Sequence, residues 1–216
     1  VMCESLNQIT IPSSLTSYGK NVFSMCKSLT QIAIPSSLTS IRKYTFSYCS
    51  KLKQITIPSS VTLIERKAFY NCTALQQIII PSSVTSIRHS AFRSCSLTEI
   101  TIPSSVTSIG NTVFYECLFL IKISFSVPSS IASIGYHAFS RCISLNKISI
   151  PSSVTSIGKK AFSKCTALTQ IEIPSSVTEI GSHAFYGCAS LGQISIPSSI
   201  KIKNLSIPSN AKVILI

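Results

Sequence analysis

Apolar positions along this chain recur in a fixed register. In residues 151–173 they fall at Val154, Ile157, Ala161, Phe162, Cys165, Leu168, Ile171 and Ile173, with polar residues between them. The segment Ile171-Glu172-Ile173 alternates with period two, which predicts a short strand ended by Pro174. Gly158 to Cys165 is too short for a stable independent helix, so a turn or a brief helical turn is expected there. A single unit of this size cannot bury eight such side chains. Stacked units can, each ladder position touching its own kind in the next coil.

Three residue types carry the register through the whole chain. Proline stands at 12, 35, 58, 81, 103, 128, 151, 174 and 197, a step of 23 broken once by 22 and once by 25. Cysteine keeps the same step from Cys3 to Cys188, and phenylalanine keeps it from Phe23 to Phe185. Repetition at such a period is the mark of a solenoid. The fourth unit loses one residue after Cys95, where Ser96-Leu97 replaces the usual two spacers. The fifth gains two, reading Ile123-Ser124-Phe125-Ser126-Val127-Pro128.

The pattern Leu168-x-x-Ile171-x-Ile173 is the strand signature of leucine-rich repeats. The full unit, Leu-x-x-Ile-x-Ile-Pro-Ser-Ser-Val-Thr-Ser-Ile-Gly-x-x-Ala-Phe-x-x-Cys, resembles the BspA-like subfamily of those proteins over residues 1–197. The resemblance implies a curved solenoid that serves adhesion or protein binding rather than catalysis. The fold expected is an α/β-type repeat solenoid: a right-handed leucine-rich repeat coil of about eight turns, a parallel sheet on the concave face, and little regular helix. Residues 198–216 read as a C-terminal cap, with Ile200-Lys201-Ile202-Lys203 as a last strand whose lysines discourage edge pairing. No N-terminal cap is visible, so the first coil is expected to present an open edge, one route to a homo-oligomer.

Composition narrows the chemistry. Six Glu are the only acidic side chains against nineteen Lys and Arg, a net charge of +13, and Asp and Trp are absent. Calcium loops and aspartic dyads are thereby excluded, and the usual magnesium-holding Asp of phosphoryl transfer is missing. The charge allows an acidic partner without choosing one. Residues 117–125 come nearest to a membrane span and Lys122 interrupts them, so no span is expected. Val1-Met2-Cys3-Glu4-Ser5 shows no secretory leader, although the chain opens part-way through a repeat and its natural N-terminus is open to question.

Nine cysteines, one per coil, suit neither a disulfide framework, whose count is even, nor a tetrahedral zinc site, whose ligands converge. Each reads as a small buried hydrophobe. Free thiols favour a reducing compartment, hence a cytoplasmic or membrane-associated protein, with the cell surface as the alternative. His89, His137 and His183 precede cysteines by five or six residues but fall on the outward turn, so no Cys–His nucleophile is expected. The serines after proline are turn formers. No cofactor or metal is called for. Sequons at Asn71-Cys72-Thr73 and Asn204-Leu205-Ser206 matter only for an exported protein.

Two surfaces remain as protein-binding candidates. Lys20, Arg42, Lys43, Arg66, Lys67, Arg88, Lys159 and Lys160 form a basic flank, read as a solvated face. Nucleic acid is disfavoured because no aromatic platform accompanies it on the strand face. On the concave face, Gln31, Gln54, Gln77, Glu99, Lys147, Gln170 and Gln193 form a polar row that is either a ligand surface or repeat filler. The fifth unit breaks the rule: Leu118, Phe119 and Ile121 replace small or polar spacers, and Phe125 and Val127 accompany the insertion. An apolar cluster at otherwise exposed positions marks a contact surface for a partner or a second copy, the rival being repacking with Phe125 turned inward. Lys122-Ile123-Ser124-Phe125 also resembles the basic-aliphatic-x-aromatic motif with which regulators dock type-1 protein phosphatase. The partner expected is thus a phosphatase or, alternatively, an adhesion target.

Overall fold

The computed structural model describes residues 5–216, so Cys3 and its neighbours before Ser5 lie outside the described residues. In chain order the strands are β1 (Gln8–Thr10), β2 (Gln31–Ala33), β3 (Ser40–Ile41), β4 (Gln54–Thr56) and β5 (Leu63–Ile64). Then come β6 (Ser86–Ile87), β7 (Glu99–Ile102), β8 (Ser108–Ile109), β9 (Lys122–Phe125) and β10 (Ser133–Ile134). The last are β11 (Ser156–Ile157), β12 (Gln170–Glu172), β13 (Glu179–Ile180), β14 (Gln193–Ile196) and β15 (Lys212–Leu215). Every pairing between them is parallel and joins one coil to the next. The chain is a parallel-strand solenoid of about nine turns at a spacing near 23 residues, with almost no helix.

Each turn has three sides. The first carries the Ile-x-Ile strands predicted from the alternation. The second carries short strands from the Ser-Ile step, and these form one unbroken seven-stranded sheet, β3-β5-β6-β8-β10-β11-β13. The third is the Phe-Cys turn. Its backbone bonds alternate: Ala161 and Ser163 donate back to Gly158 and Lys160 within the turn, whereas Phe162 and Lys164 donate across to Ala184 and Tyr186 of the following coil. Sharing donors between coils in this way is why consecutive turns, and no helix, occupy this stretch.

All eight ladder residues of the 151–173 unit are buried, and their counterparts in other coils build one continuous core. In six coils the second serine after the proline ties coils together: Ser153 Oγ donates to the Ile131 carbonyl at 2.8 Å, and Ser37, Ser60, Ser83, Ser105 and Ser176 repeat the bond.

The two irregular coils interrupt the sheet of the first side and leave that of the second continuous. Its sheet divides into β1-β2-β4, β7-β9 and β12-β14-β15. Between these blocks only Thr56–Ile79 and Lys122–Lys147 bridge. Both the deletion after Cys95 and the insertion before Pro128 fall on the arc that bears these strands. At the insertion Ile131 donates to Ser129 Oγ in place of the carbonyl of the proline three residues back, the acceptor used by its equivalents.

The C-terminal segment differs from expectation. Ile200–Lys203 is not a strand; Ile202–Asn204 forms a 3-10 turn, and the carbonyls of Asn204 and Leu205 accept from His183 and Phe185. The segment is held by the turn side of the preceding coil, which needs those acceptors. The final strand is β15, in register with β14 from Gln193–Lys212 to Ile196–Leu215.

One column of the turn is glycine in the first coil and again from Gly110 onward. A methyl group on Gly158 would lie 2.6 Å from the Gly135 carbonyl carbon and the Tyr136 nitrogen, whereas Arg42, Glu65 and Arg88 occupy the same column earlier. Gly158→Ala is therefore expected to cost about 1–3 kcal/mol by overpacking. Urea titration checks this, and an unchanged midpoint would show that the later coils can spread as the earlier ones do.

Candidate functional site

The polar row behaves as predicted from alternation. Gln31, Gln54, Gln77, Glu99, Lys147, Gln170 and Gln193 are all exposed, while the ladder residues on either side point inward. Over the first three coils this row forms only a shallow hollow of about 400 Å³, floored by repeated Gln, Ile and Thr.

The fifth coil is divided by the fold. Leu120 is buried, so the residues flanking it emerge on different surfaces. Leu118 and Phe119 line a hollow of about 450 Å³ on the turn flank, with Asn71, Thr73, Glu116 and Arg141. Ile121, Phe125, Val127 and Pro128 line a groove of about 850 Å³ on the strand side, shared with Lys122 and Lys147. The six sequence candidates therefore do not form one patch. Phe119 and Ile121 are 57% and 49% exposed, and Val127, which accompanies the insertion, reaches 93%. Ile123 is 4% exposed and registers with Ile100. Phe125 registers with Ile102, is half-buried and packs on the core, while also lining the groove.

Another cluster escaped sequence reading. On the turn flank Lys67 lies over the rings of Tyr44 and Tyr70, at 5.6 and 5.0 Å, and Arg93 over those of Tyr70 and Tyr115, at 5.5 and 4.5 Å. Glu116 pairs with Arg93 and Arg141 at 3.7 and 3.3 Å. The basic flank is thus partly neutralised and braced by its own aromatics, each contact contributing about 0.5–1 kcal/mol where exposed. The signal was present only as tyrosines and cations sharing columns, which no single unit displays.

The thiols point into the core. Cys49 Sγ donates to the Phe23 carbonyl at 3.0 Å, and Cys72, Cys95, Cys117, Cys142, Cys165 and Cys188 repeat the contact one coil at a time. Burial pushes the Cys49 and Cys188 thiols up to about 12. The histidines turn elsewhere: His183 Nδ1 meets Ser206 Oγ at 2.8 Å, and His137 packs edge-on against Tyr115 and Tyr136. Burial, and then the charges of neighbouring cations, hold His89 and His137 below the ordinary imidazole range. Inward thiols and outward imidazoles do not make a nucleophile–base pair. Among the described residues no group of three or more His, Cys or Glu is placed to hold a metal ion, and no helix is long and apolar enough to cross a membrane.

Solved structures place this geometry among bacterial leucine-rich repeat proteins. A leucine-rich repeat protein of Bacteroides ovatus shares 26% identity at a TM-score of 0.62, over 97% of this chain and 66% of its own. A leucine rich cell surface protein of Faecalibacterium prausnitzii shares 26% at a TM-score of 0.50, over 100% and 81%. A leucine rich repeat protein of T. pallidum shares 27% at 0.53, over 86% and 69%. The chain thus spans about two thirds of the length of the Bacteroides protein. Among curated proteins no sequence matches. The family profile of the BspA type leucine rich repeat region matches residues 1–121 and 120–214 in six copies, and with the ladder, the stacked parallel strands and the repeat spacing all in agreement, the chain belongs to that family.

Proposed function

We propose that this chain is a protein-binding scaffold displayed at a cell surface, and that it meets its partner on the strand side of the fifth coil. The observation that carries this reading is the exposed pair Ile121 and Val127 beside the groove, on the one coil lengthened by insertion. Burial of each such side chain in an interface contributes roughly 1.5–3 kcal/mol, whereas a surface Gln contributes about 1 kcal/mol at best. The cell-surface description of the Faecalibacterium relative supports the location. Free thiols do not oppose it, because a buried, protonated thiol is inert whatever the redox state outside.

The phosphatase-docking alternative is weaker. Lys122-Ile123-Ser124-Phe125 is strand β9, paired along its whole length to β7, and its aliphatic residue is in the core. Docking through Ile123 requires the coil to open first.

The test is binding of purified protein to immobilised matrix and host-surface proteins by surface plasmon resonance. Ile121→Ser with Val127→Ser is expected to weaken any captured interaction about tenfold or more with an unchanged melting temperature. Phe119→Ser, on the other flank, is expected to leave it intact. Loss on Phe119→Ser alone would move the contact to the turn side.

A further inference from the structure

We infer that the groove beside β9 receives an extended peptide segment of a partner protein, with a carboxylate at one end and a large apolar side chain two or three residues along. This rests on the protein-binding reading above and adds the chemistry of what is bound.

The charge pattern comes first. One outward column reads Gln8, Gln31, Gln54 and Gln77, then Glu99, Lys122 and Lys147, then Gln170 and Gln193. Lys122 and Lys147 are bridge partners on successive coils, so their backbones lie about 4.8 Å apart. Like charges placed directly opposite one another are destabilising. No ion pair within 4 Å involves either lysine among the described residues. Glu99 stands beside Lys122 on the side away from the groove, and no residue lining the groove carries a carboxylate. Two adjacent ammonium groups, in a column that is otherwise mostly glutamine, line a groove that itself holds no carboxylate, while Glu172 shares the adjoining hollow with Lys147.

The shape supplies the rest. From Lys122 to Phe125 and from Lys147 to Ile150 the two walls run parallel, and ladder pairing between them ends at the single Lys122–Lys147 bridge. Four strand residues span about 13 Å, the length of roughly four extended residues of a ligand. The lysines close one end, while Phe125, Val127 and Pro128 make the other end apolar. A carboxylate held between the ammonium groups therefore places a side chain two or three positions on against that apolar end. An extended segment suits such a cleft better than a helix, since its alternate side chains address the charged and apolar ends of one wall.

The experiment is selection of random peptides, displayed on phage, against the immobilised full chain and in parallel against Lys147→Glu and Lys147→Gln. The expected result is enrichment of sequences with Asp or Glu two or three residues from a large apolar residue. Their affinity for the wild-type chain is expected to fall as salt is raised, and at low salt to be about tenfold weaker for Lys147→Glu. Enrichment of sequences without an acidic residue, equal binding by all three proteins, or no enrichment would overturn the inference. The broader reading has its own readout: a matrix protein that wild type captures and Lys147→Glu retains leaves the scaffold standing and removes the groove. Absence of any capture by wild type removes both.

Discussion

Moving from about pH 8 to about pH 10 is expected to unfold this solenoid. Burial raises the thiols of Cys49, Cys95, Cys117, Cys142, Cys165 and Cys188, to about 12 for Cys49 and Cys188. In the folded state they stay protonated, while in the unfolded chain they ionise near the ordinary value of 9.0. A folded pKa above the unfolded one gives stability that is whole below the unfolded value and is lost as pH rises toward the folded value. Each thiol withdraws about 1.4 kcal/mol per pH unit in that window, so the six together withdraw roughly 8 kcal/mol one unit above the unfolded pKa. That matches the whole stability of a typical domain, about 5–15 kcal/mol. Circular dichroism against pH measures the transition. Replacing Cys117 and Cys142 by Ser keeps a donor for the Phe92 and Phe114 carbonyls without a group that titrates there, and is expected to move the midpoint upward. A chain that melts at the same temperature at both pH values would show that the thiols ionise freely in the fold.

The ladder was legible because repetition supplies its own alignment. Ile171 and Ile173 show the strand face within three residues, and Phe162 and Cys165 recur often enough that one buried column each is the economical reading. The seven-stranded sheet of the second side was not legible. Ser156-Ile157 is two residues long, too short for alternation to appear, and its strand character exists only through Ser133-Ile134 and Glu179-Ile180 beside it. The division of the fifth coil was hidden for a related reason. Phe119, Leu120 and Ile121 are neighbours in sequence, but the chain passes there from turn to strand, and the burial of Leu120 separates the residues on either side. Phe125 looked like a surface anchor because the insertion displaced it from the ladder spacing, although its register with Ile102 restores it to the row. The cysteines say little about compartment, since a count of thiols carries no information about their access to oxidant.

Replacing Phe114 by Ala is expected to cost about 3–5 kcal/mol and to split unfolding into two steps. Phe114 is fully buried and stacks between Phe92 and Phe139, with ring centroids at 5.8 and 5.5 Å and planes within 7°. Its loss removes the ring's own burial and strands a face of each neighbour, because the backbone bonds from Phe92 to Val113 and from Phe114 to Ala138 prevent the coils from closing the gap. In a solenoid stability is close to a sum of single-coil terms and nearest-neighbour terms, so a defect in the middle weakens the coupling of the two halves. Phe23→Ala supplies the comparison. Phe23 stacks on Phe46 at 5.6 Å, is 7% exposed and lies near one end of the described stack, so its removal is expected to cost less and to leave a single transition. Urea unfolding followed by circular dichroism and by protection of the buried thiols from alkylation separates the cases. In Phe114→Ala the thiols of one half are expected to become reactive at a lower denaturant concentration than those of the other. Simultaneous exposure of all of them, at one midpoint, would mean that the serine bonds and the unbroken second sheet couple the halves strongly enough to carry cooperativity across the defect.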